Sequence, residues 1–409
     1  MIKSISTFLF LLLTSIVSAQ YCNLGDRFTE VEYFSNSEIS ILKDVTYGSA
    51  FDYQGNKETL LFDVYYPNPL VDSLTKKPLV LMIHGGGFHS GNKIQRRGEC
   101  IAFAKRGFVA VSISYRLGWS SINTNGQLLA MYRAQQDANA ALRYLINNQS
   151  TYQVDPNWIF IGGTSAGAVT ANNVAYSDHR AWESIYPGIE GALGSLDTSS
   201  NKLTNSFTIQ AIFNNWGAVP KQSIKIDELL PQIAFHGLLD SIVTIDSATL
   251  LLGSRSIHYL LSQNTICTDF TVDNQGGHGI YFSTSGTVFR ASRASCFFRG
   301  VICNNCTDFF STDSIHASCS NILGIKEQHT LNYRIYPNPT HGQLNIEGAV
   351  GTERFTLINS IGEKIYDNVS IDELTLEYLS PGLYVLNIYM SQQNQGLYFI
   401  KLGDNLMRY

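Results

Sequence analysis

Five residues, Gly163-Thr164-Ser165-Ala166-Gly167, follow directly on the apolar run Trp158-Ile159-Phe160-Ile161. No other segment limits the fold of this chain as tightly. Gly-x-Ser-x-Gly between a strand and a helix is a turn so sharp that the residues two before and two after the serine must be small. The serine is then held in a strained conformation with its hydroxyl above the sheet edge. Its place at a helix N-terminus adds free backbone N–H groups and a positive dipole end.

The surrounding pattern alternates as such a turn requires. Leu60 to Tyr66 reads as an early strand, and Pro78 to Ile83 as a strand buried on both faces. A helix around Gly98 to Arg106 and a second buried strand, Phe108 to Ile113, come next. Leu128 to Asn147 is a long helix, with Leu129, Tyr132, Ala138, Ala141, Leu142 and Leu145 spaced for one buried face. Beyond the serine lie strands at Thr208 to Asn214 and Pro231 to Phe235, a helix over Ser247 to Ser262 and a short strand near Phe270-Thr271-Val272. Strands alternating with helices of this length predict an α/β fold, a mostly parallel sheet with helices on both faces. Residues 176–205, polar and irregular around Trp182, Tyr186 and Pro187, read as an excursion over the catalytic edge.

With 409 residues, 44% of them apolar and 15% charged, the chain suits one large domain and a smaller one. The composition breaks after Cys319. Residues 321–330 read as a linker, and 331–409 carry short alternating segments such as Arg354 to Ile358 and Tyr384 to Ile388, the pattern of a small β-sandwich. At the other end, Lys3, the apolar stretch Phe8 to Leu13 and Val17-Ser18-Ala19 read as a signal peptide over residues 1–19. Residues 20–320 then form the large domain. Export turns the seven cysteines (Cys22, Cys100, Cys267, Cys296, Cys303, Cys306 and Cys319) into disulfide candidates rather than metal ligands. Cys303-x-x-Cys306 has no second pair at zinc-finger spacing, and the odd count leaves a thiol over. The net charge of −5 gives no reason to expect nucleic acid or an anionic membrane as partner.

A serine hydroxyl is a poor nucleophile until a base takes its proton, and the base is itself held by a carboxylate. Asp240 follows the strand ending Ile233-Ala234-Phe235, within His236-Gly237-Leu238-Leu239-Asp240, and His278 lies in Gly276-Gly277-His278-Gly279 after the next strand. Each interval leaves room for a strand–helix repeat, and the chain order is serine, acid, histidine. His84-Gly85-Gly86-Gly87-Phe88 directly follows the buried strand ending at Ile83. Its glycines let backbone N–H groups approach a developing oxyanion, with Gly86, Gly87 and Ala166 as the expected donors. No Lys-Ser/Thr pair follows this loop, which argues against nucleotide binding. His84 and His236 read as structural, His236 as a brace for the Asp240 loop. Asp246 and, behind it, Asp273 are the competing acids.

These motifs carry a resemblance. With Leu61-Phe62-Asp63-Val64-Tyr65-Tyr66-Pro67, His84 to Gly91, Gly163 to Gly167, His236 to Asp240 and Gly276 to Gly279, residues 40–318 resemble secreted α/β-hydrolase carboxylesterases, including feruloyl and acetylxylan esterase branches. The resemblance implies an ester substrate, Ser165, His278 and Asp240 as the reacting set, and no metal or organic cofactor. A serine exopeptidase and a hydrolase-fold binding protein without turnover are the competing readings. Tyr336-Pro337-Asn338-Pro339-Thr340 to Ile346, Ser380 to Val385 and Gly396 to Leu402 resemble the sorting domain of type IX secretion found in Bacteroidetes. That likeness implies export through the periplasm, the secretion machinery as a partner of residues 331–409, and release or surface attachment.

Overall fold

The computed structural model describes residues 20–120, 125–248, 250–306, 309–312, 334–338, 340–341, 344–347, 353–359, 363–370, 374, 376–390 and 393–401. The expected signal peptide, the linker and Cys319 lie outside them. The chain divides into two compact units, residues 1–323 and 324–409.

The first unit is built on strands β1 (Ile39–Phe51), β2 (Lys57–Pro67), β3 (Lys77–Ile83), β4 (Val109–Ile113), β5 (Val154–Thr164), β6 (Ile209–Asn215), β7 (Ala218–Pro220), β8 (Gln232–Gly237), β9 (Leu251–Gly253), β10 (Thr268–Asp273) and β11 (Phe309–Thr312). Among the described residues, nine of them form one sheet in the order β1-β2-β4-β3-β5-β6-β8-β10-β11. Every neighbouring pair from β4 to β11 is parallel, and β2 runs antiparallel to both β4 and β1. The expected mostly parallel sheet is therefore present.

Helices α1 (Arg97–Lys105), α2 (Gly126–Asn147), α3 (Ala166–Tyr176), α4 (His179–Ile185), α5 (Ile189–Leu193), α6 (Ser254–Gln263) and α7 (Thr284–Ile302) cover it. Two apolar clusters divide along the sheet. Leu79, Leu81 and Ile83 of β3 join Ala138, Leu142 and Leu145 of α2 in one, while Val80 and Met82 join Phe103 of α1 and Phe298 of α7 in the other. That split explains why β3 reads as an unbroken apolar run: alternate side chains feed opposite cores. Each such side chain contributes about 1.5–3 kcal/mol over exposure.

The structure departs from the sequence reading in four places. β1 escaped notice because bulges between Leu42 and Val45 and between Thr46 and Gly48 break its alternation. α7 escaped because buried Arg290 and Arg293 interrupt its apolar positions. The helix expected from Ser247 starts at Ser254, since the backbone of residues 251–253 pairs with β7 instead. Residues 176–205 are held by bonds to α2 and β1: Gln135 accepts from the Trp182 indole, Gln136 donates to the carbonyls of residues 193–195, and Ser200 O accepts from Ser49 N. The stretch expected to be irregular thus carries α4 and α5.

Disulfides Cys22–Cys303 and Cys267–Cys306 have Cα separations of 5.6 and 6.0 Å. The two cysteines of the C-x-x-C are thus committed to separate distant partners, which removes it as a redox or metal pair. Cys296 is also disulfide-bonded. Cys100 is free, and burial pushes its thiol well above the usual range. The bridge from Cys22 closes a loop over nearly the whole unit and restricts the unfolded chain accordingly. Replacing both Cys22 and Cys303 with serine is expected to cost about 2–5 kcal/mol, measured as a lower urea midpoint with a steeper slope, because the unfolded chain expands once the loop is opened.

The second unit has a two-stranded sheet, β12 (Arg334–Tyr336) with β13 (Asn345–Glu347), and a four-stranded sheet of β14 (Arg354–Asn359), β15 (Lys364–Val369), β16 (Gly382–Met390) and β17 (Gln393–Lys401) in the order β15-β14-β16-β17. Phe355, Leu357, Leu386 and Ile388 form its core, with Ile335 and Ile346 of the smaller sheet packed against them. These are the small C-terminal strands that the alternation predicts.

Candidate functional site

β5 runs between β3 and β6, so Ser165 emerges near the centre of the sheet. Its backbone adopts φ 52° and ψ −122°, a left-handed conformation costly for a residue with a side chain, of order 1–3 kcal/mol. The flanking glycines allow it. A Cβ on Gly163 would lie 2.4 Å from the Gly167 carbonyl carbon, and one on Gly167 would lie 2.2 Å from the Ile83 carbonyl oxygen. Both obstacles are backbone and cannot rotate away. Gly167→Ala is therefore expected to lose Ser165 geometry and several kcal/mol of stability, seen as a lowered Tm together with loss of labelling at Ser165.

The strained turn is braced from β6. Ser165 N donates to Asn215 O at 2.9 Å, and Asn215 Nδ2 donates to Gly163 O at 2.8 Å. Arg290 of α7 donates to Asn215 Oδ1 at 2.8 Å, pairs with Glu99 of α1 at 3.1 Å and lies over the Trp216 ring at 5.1 Å. Sequence reasoning missed Asn215 and Arg290. The available signal was Asn214-Asn215-Trp216-Gly217, a polar run at the C-terminal end of an apolar strand, where sheet proteins of this kind build their sites.

The loops after β8 and β10 bring the acid and the histidine to the serine. His278 Nε2 lies 2.8 Å from Ser165 Oγ, and His278 Nδ1 lies 2.8 Å from Asp240 Oδ2. Asp240 Oδ1 accepts from Ile242 N at 2.9 Å and Val243 N at 3.0 Å. Burial alone would raise this carboxyl; hydrogen bonds from His236, His278 and the two backbone amides outweigh it and hold it at about 2. The carboxylate is thus ionised throughout the neutral range, while the half-buried imidazole keeps one edge toward solvent. Asp246 is engaged elsewhere, bonded to Arg255, and Asp273 Oδ1 caps its own turn by accepting from Gln275 N at 3.0 Å.

The glycine loop after β3 abuts the same serine: a Cβ on Gly85 would lie 3.3 Å from Ser165 Cβ. Gly86 and Gly87 are exposed, with φ of 111° and 61°. The Gly86 carbonyl accepts from His89 N and Ser90 N at 2.9 and 3.0 Å. Ala166 opens α3, so its N–H has no intrahelical acceptor. His84 lies flat on Tyr115 at 4.3 Å between centroids and bonds Gly85 O at 2.7 Å. Burial pushes its imidazole down to about 4, so it is neutral at neutral pH and serves the loop.

Chemically, a hydroxyl facing an imidazole that faces an ionised carboxylate can pass its proton to the ring while attacking an electrophilic carbon.

Parts of the chain are similar to known proteins. Residues 62–229 match the BD-FAE family model, and residues 334–395 match the Secretion system C-terminal sorting domain model. Esterase E4 of Myzus persicae is 33% identical over 132 residues, 32% of this chain and 24% of the relative. The neuroligin-like protein glit-1 of Caenorhabditis elegans is 27% identical over 120 residues, 29% of this chain and 16% of the relative. The chain thus spans about a quarter or less of the length of these two relatives. In the apo form of Thermogutta terrifontis esterase 2 the TM-score is 0.48 at 17% identity, covering 67% of this chain and 98% of that one. Residues 62–229 are thus similar to the BD-FAE family, and residues 334–395 to the secretion system C-terminal sorting domain.

Proposed function

We propose that this chain is a secreted serine ester hydrolase. The observation that carries the reading is the His278 ring bridging Ser165 Oγ and Asp240 Oδ2 at 2.8 Å each, beside the Gly85-Gly86-Gly87 loop. Ser165 attacks the ester carbonyl as His278 Nε2 takes its proton. Asp240 holds the ring in the Nδ1–H tautomer and stabilises the imidazolium that forms. The N–H groups of Gly86, Gly87 and Ala166 bind the tetrahedral oxyanion, one such donor contributing roughly 3–4 kcal/mol of barrier lowering. His278 returns the proton to the leaving alcohol, and water then cleaves the acyl-enzyme by the same steps.

Residues 1–19 direct export and are removed, residues 20–320 carry the chemistry, residues 321–330 link, and residues 331–409 engage the type IX machinery. The sorting-domain match supports secretion or cell-surface export, and among the described residues no helix is long and apolar enough to cross a membrane. The test is turnover of p-nitrophenyl acetate and butyrate with stoichiometric fluorophosphonate labelling at Ser165. No labelling would favour a binding protein of hydrolase fold, and faster turnover of dipeptidyl amides than of esters would favour a peptidase. A panel of short acyl, long acyl, feruloyl and acetylated xylan esters then sorts substrates by acyl and alcohol.

A further inference from the structure

Asp240 Oδ2 has a second imidazole neighbour. His236, fully buried on β8, places its Nε2 at 3.2 Å from that oxygen and at 2.8 Å from the Val243 carbonyl oxygen. Both facing atoms only accept, so Nε2 carries the proton. Ser254 Oγ lies 2.7 Å from Nδ1. Ser254 in turn accepts from Asn214 Nδ2 at 3.3 Å. Ser254 Oγ also lies 3.2 Å from the Gly217 carbonyl oxygen, so the ring is anchored at Nδ1 through Ser254 and at Nε2 by Val243 O, and its Nε2–H also faces Asp240 Oδ2. His278 donates to the same Oδ2 from the opposite side.

We propose that His236 is a positioning residue for the reaction at Ser165, fixing the orientation of the Asp240 carboxylate through its Nε2–H. A carboxylate held only by His278 and the two loop amides can swing about its Cβ–Cγ bond. A second donor on Oδ2, itself anchored on a β-strand and on the first residue of α6, removes that freedom. The loop that carries Asp240 is short and exposed at Leu239 and Ile242, so its precision comes from the strand beneath. Displacement of a reacting group by about 1 Å costs on the order of 100-fold in rate. The inference rests on the ester-hydrolase reading above.

Three variants separate positioning from mere packing. Glutamine can place an amide N–H where His236 Nε2 stands; asparagine reaches only the Nδ1 site, toward Ser254; leucine reaches neither. For p-nitrophenyl acetate, His236→Leu and His236→Asn are expected to lower kcat about 10- to 100-fold with KM unchanged, and His236→Gln to stay within about threefold of the parent. Melting temperatures are recorded for all three, and if the leucine variant does not fold, the glutamine–asparagine pair decides. Equal kcat for those two, or parental kcat in folded His236→Leu, overturns the proposal. If the parent protein labels with fluorophosphonate but hydrolyses no ester, the ester reading fails by itself. The labelling rates at Ser165 across the same variants then decide the role of His236, by the same ranking.

Discussion

Ser165→Ala is expected to lower kcat for p-nitrophenyl acetate by on the order of 10⁴- to 10⁶-fold and to abolish fluorophosphonate labelling, with little change in KM or Tm. The Oγ is the only atom lost, and its partner among the described residues is His278 Nε2 at 2.8 Å. Nothing in the packing depends on it: the turn is held by Asn215 and by the two close-packed glycines. Because the methyl group of alanine keeps a Cβ in the same left-handed position, the strain at residue 165 stays, and the fold with it. Residual turnover above the uncatalysed rate is expected from the backbone donors at Gly86, Gly87 and Ala166. His278→Ala should produce a loss of similar size, and the double variant should be no worse than either single one, since serine and histidine act as a unit. Parental activity in Ser165→Ala would move the chemistry to another residue.

How much of this site could be read from the chain depended on whether the information was local. The elbow is local, since its glycines, its strand and its helix are contiguous, and so is the glycine loop after β3. Asp240 and His278 were legible through chain order, because each loop follows a strand of one parallel sheet and such loops converge at one edge. The choice of Asp240 over Asp246 was different in kind. Five residues separate the two, and only the tertiary structure shows that Arg255 takes the second. The brace through Asn215, Arg290 and Glu99 joins β6, α7 and α1, three elements far apart in sequence, so no window of residues could contain it. α7 itself was hidden for a related reason: its arginines are buried by pairing with acids elsewhere, Arg290 with Glu99 and Arg293 with Asp269, and charge in a sequence reads as surface.

Asp240→Asn is expected to lower kcat on the order of 10⁴-fold while leaving the protein folded. The amide has one acceptor and one donor where the carboxylate had two acceptors. Turning its oxygen toward Ile242 N and Val243 N keeps those two hydrogen bonds but sets the NH₂ against His278 Nδ1 and the N–H of His236. The opposite orientation keeps the two imidazole bonds and sets the NH₂ against two backbone donors. The first has one donor–donor conflict, at the longer distance of 3.2 Å, and the second has two. The first orientation is therefore favoured. It presents a donor to His278 Nδ1, which moves the ring proton to Nε2 and leaves no lone pair to take the proton from Ser165. An unsatisfied buried donor also costs about 1–3 kcal/mol, visible as a lower urea midpoint. Asp246→Asn, by contrast, removes only a partner of Arg255 and is expected to retain near-parental kcat. The reverse ranking of these two variants in kcat would assign the acid to Asp246 and require the loop after β8 to rearrange before His278 could use it.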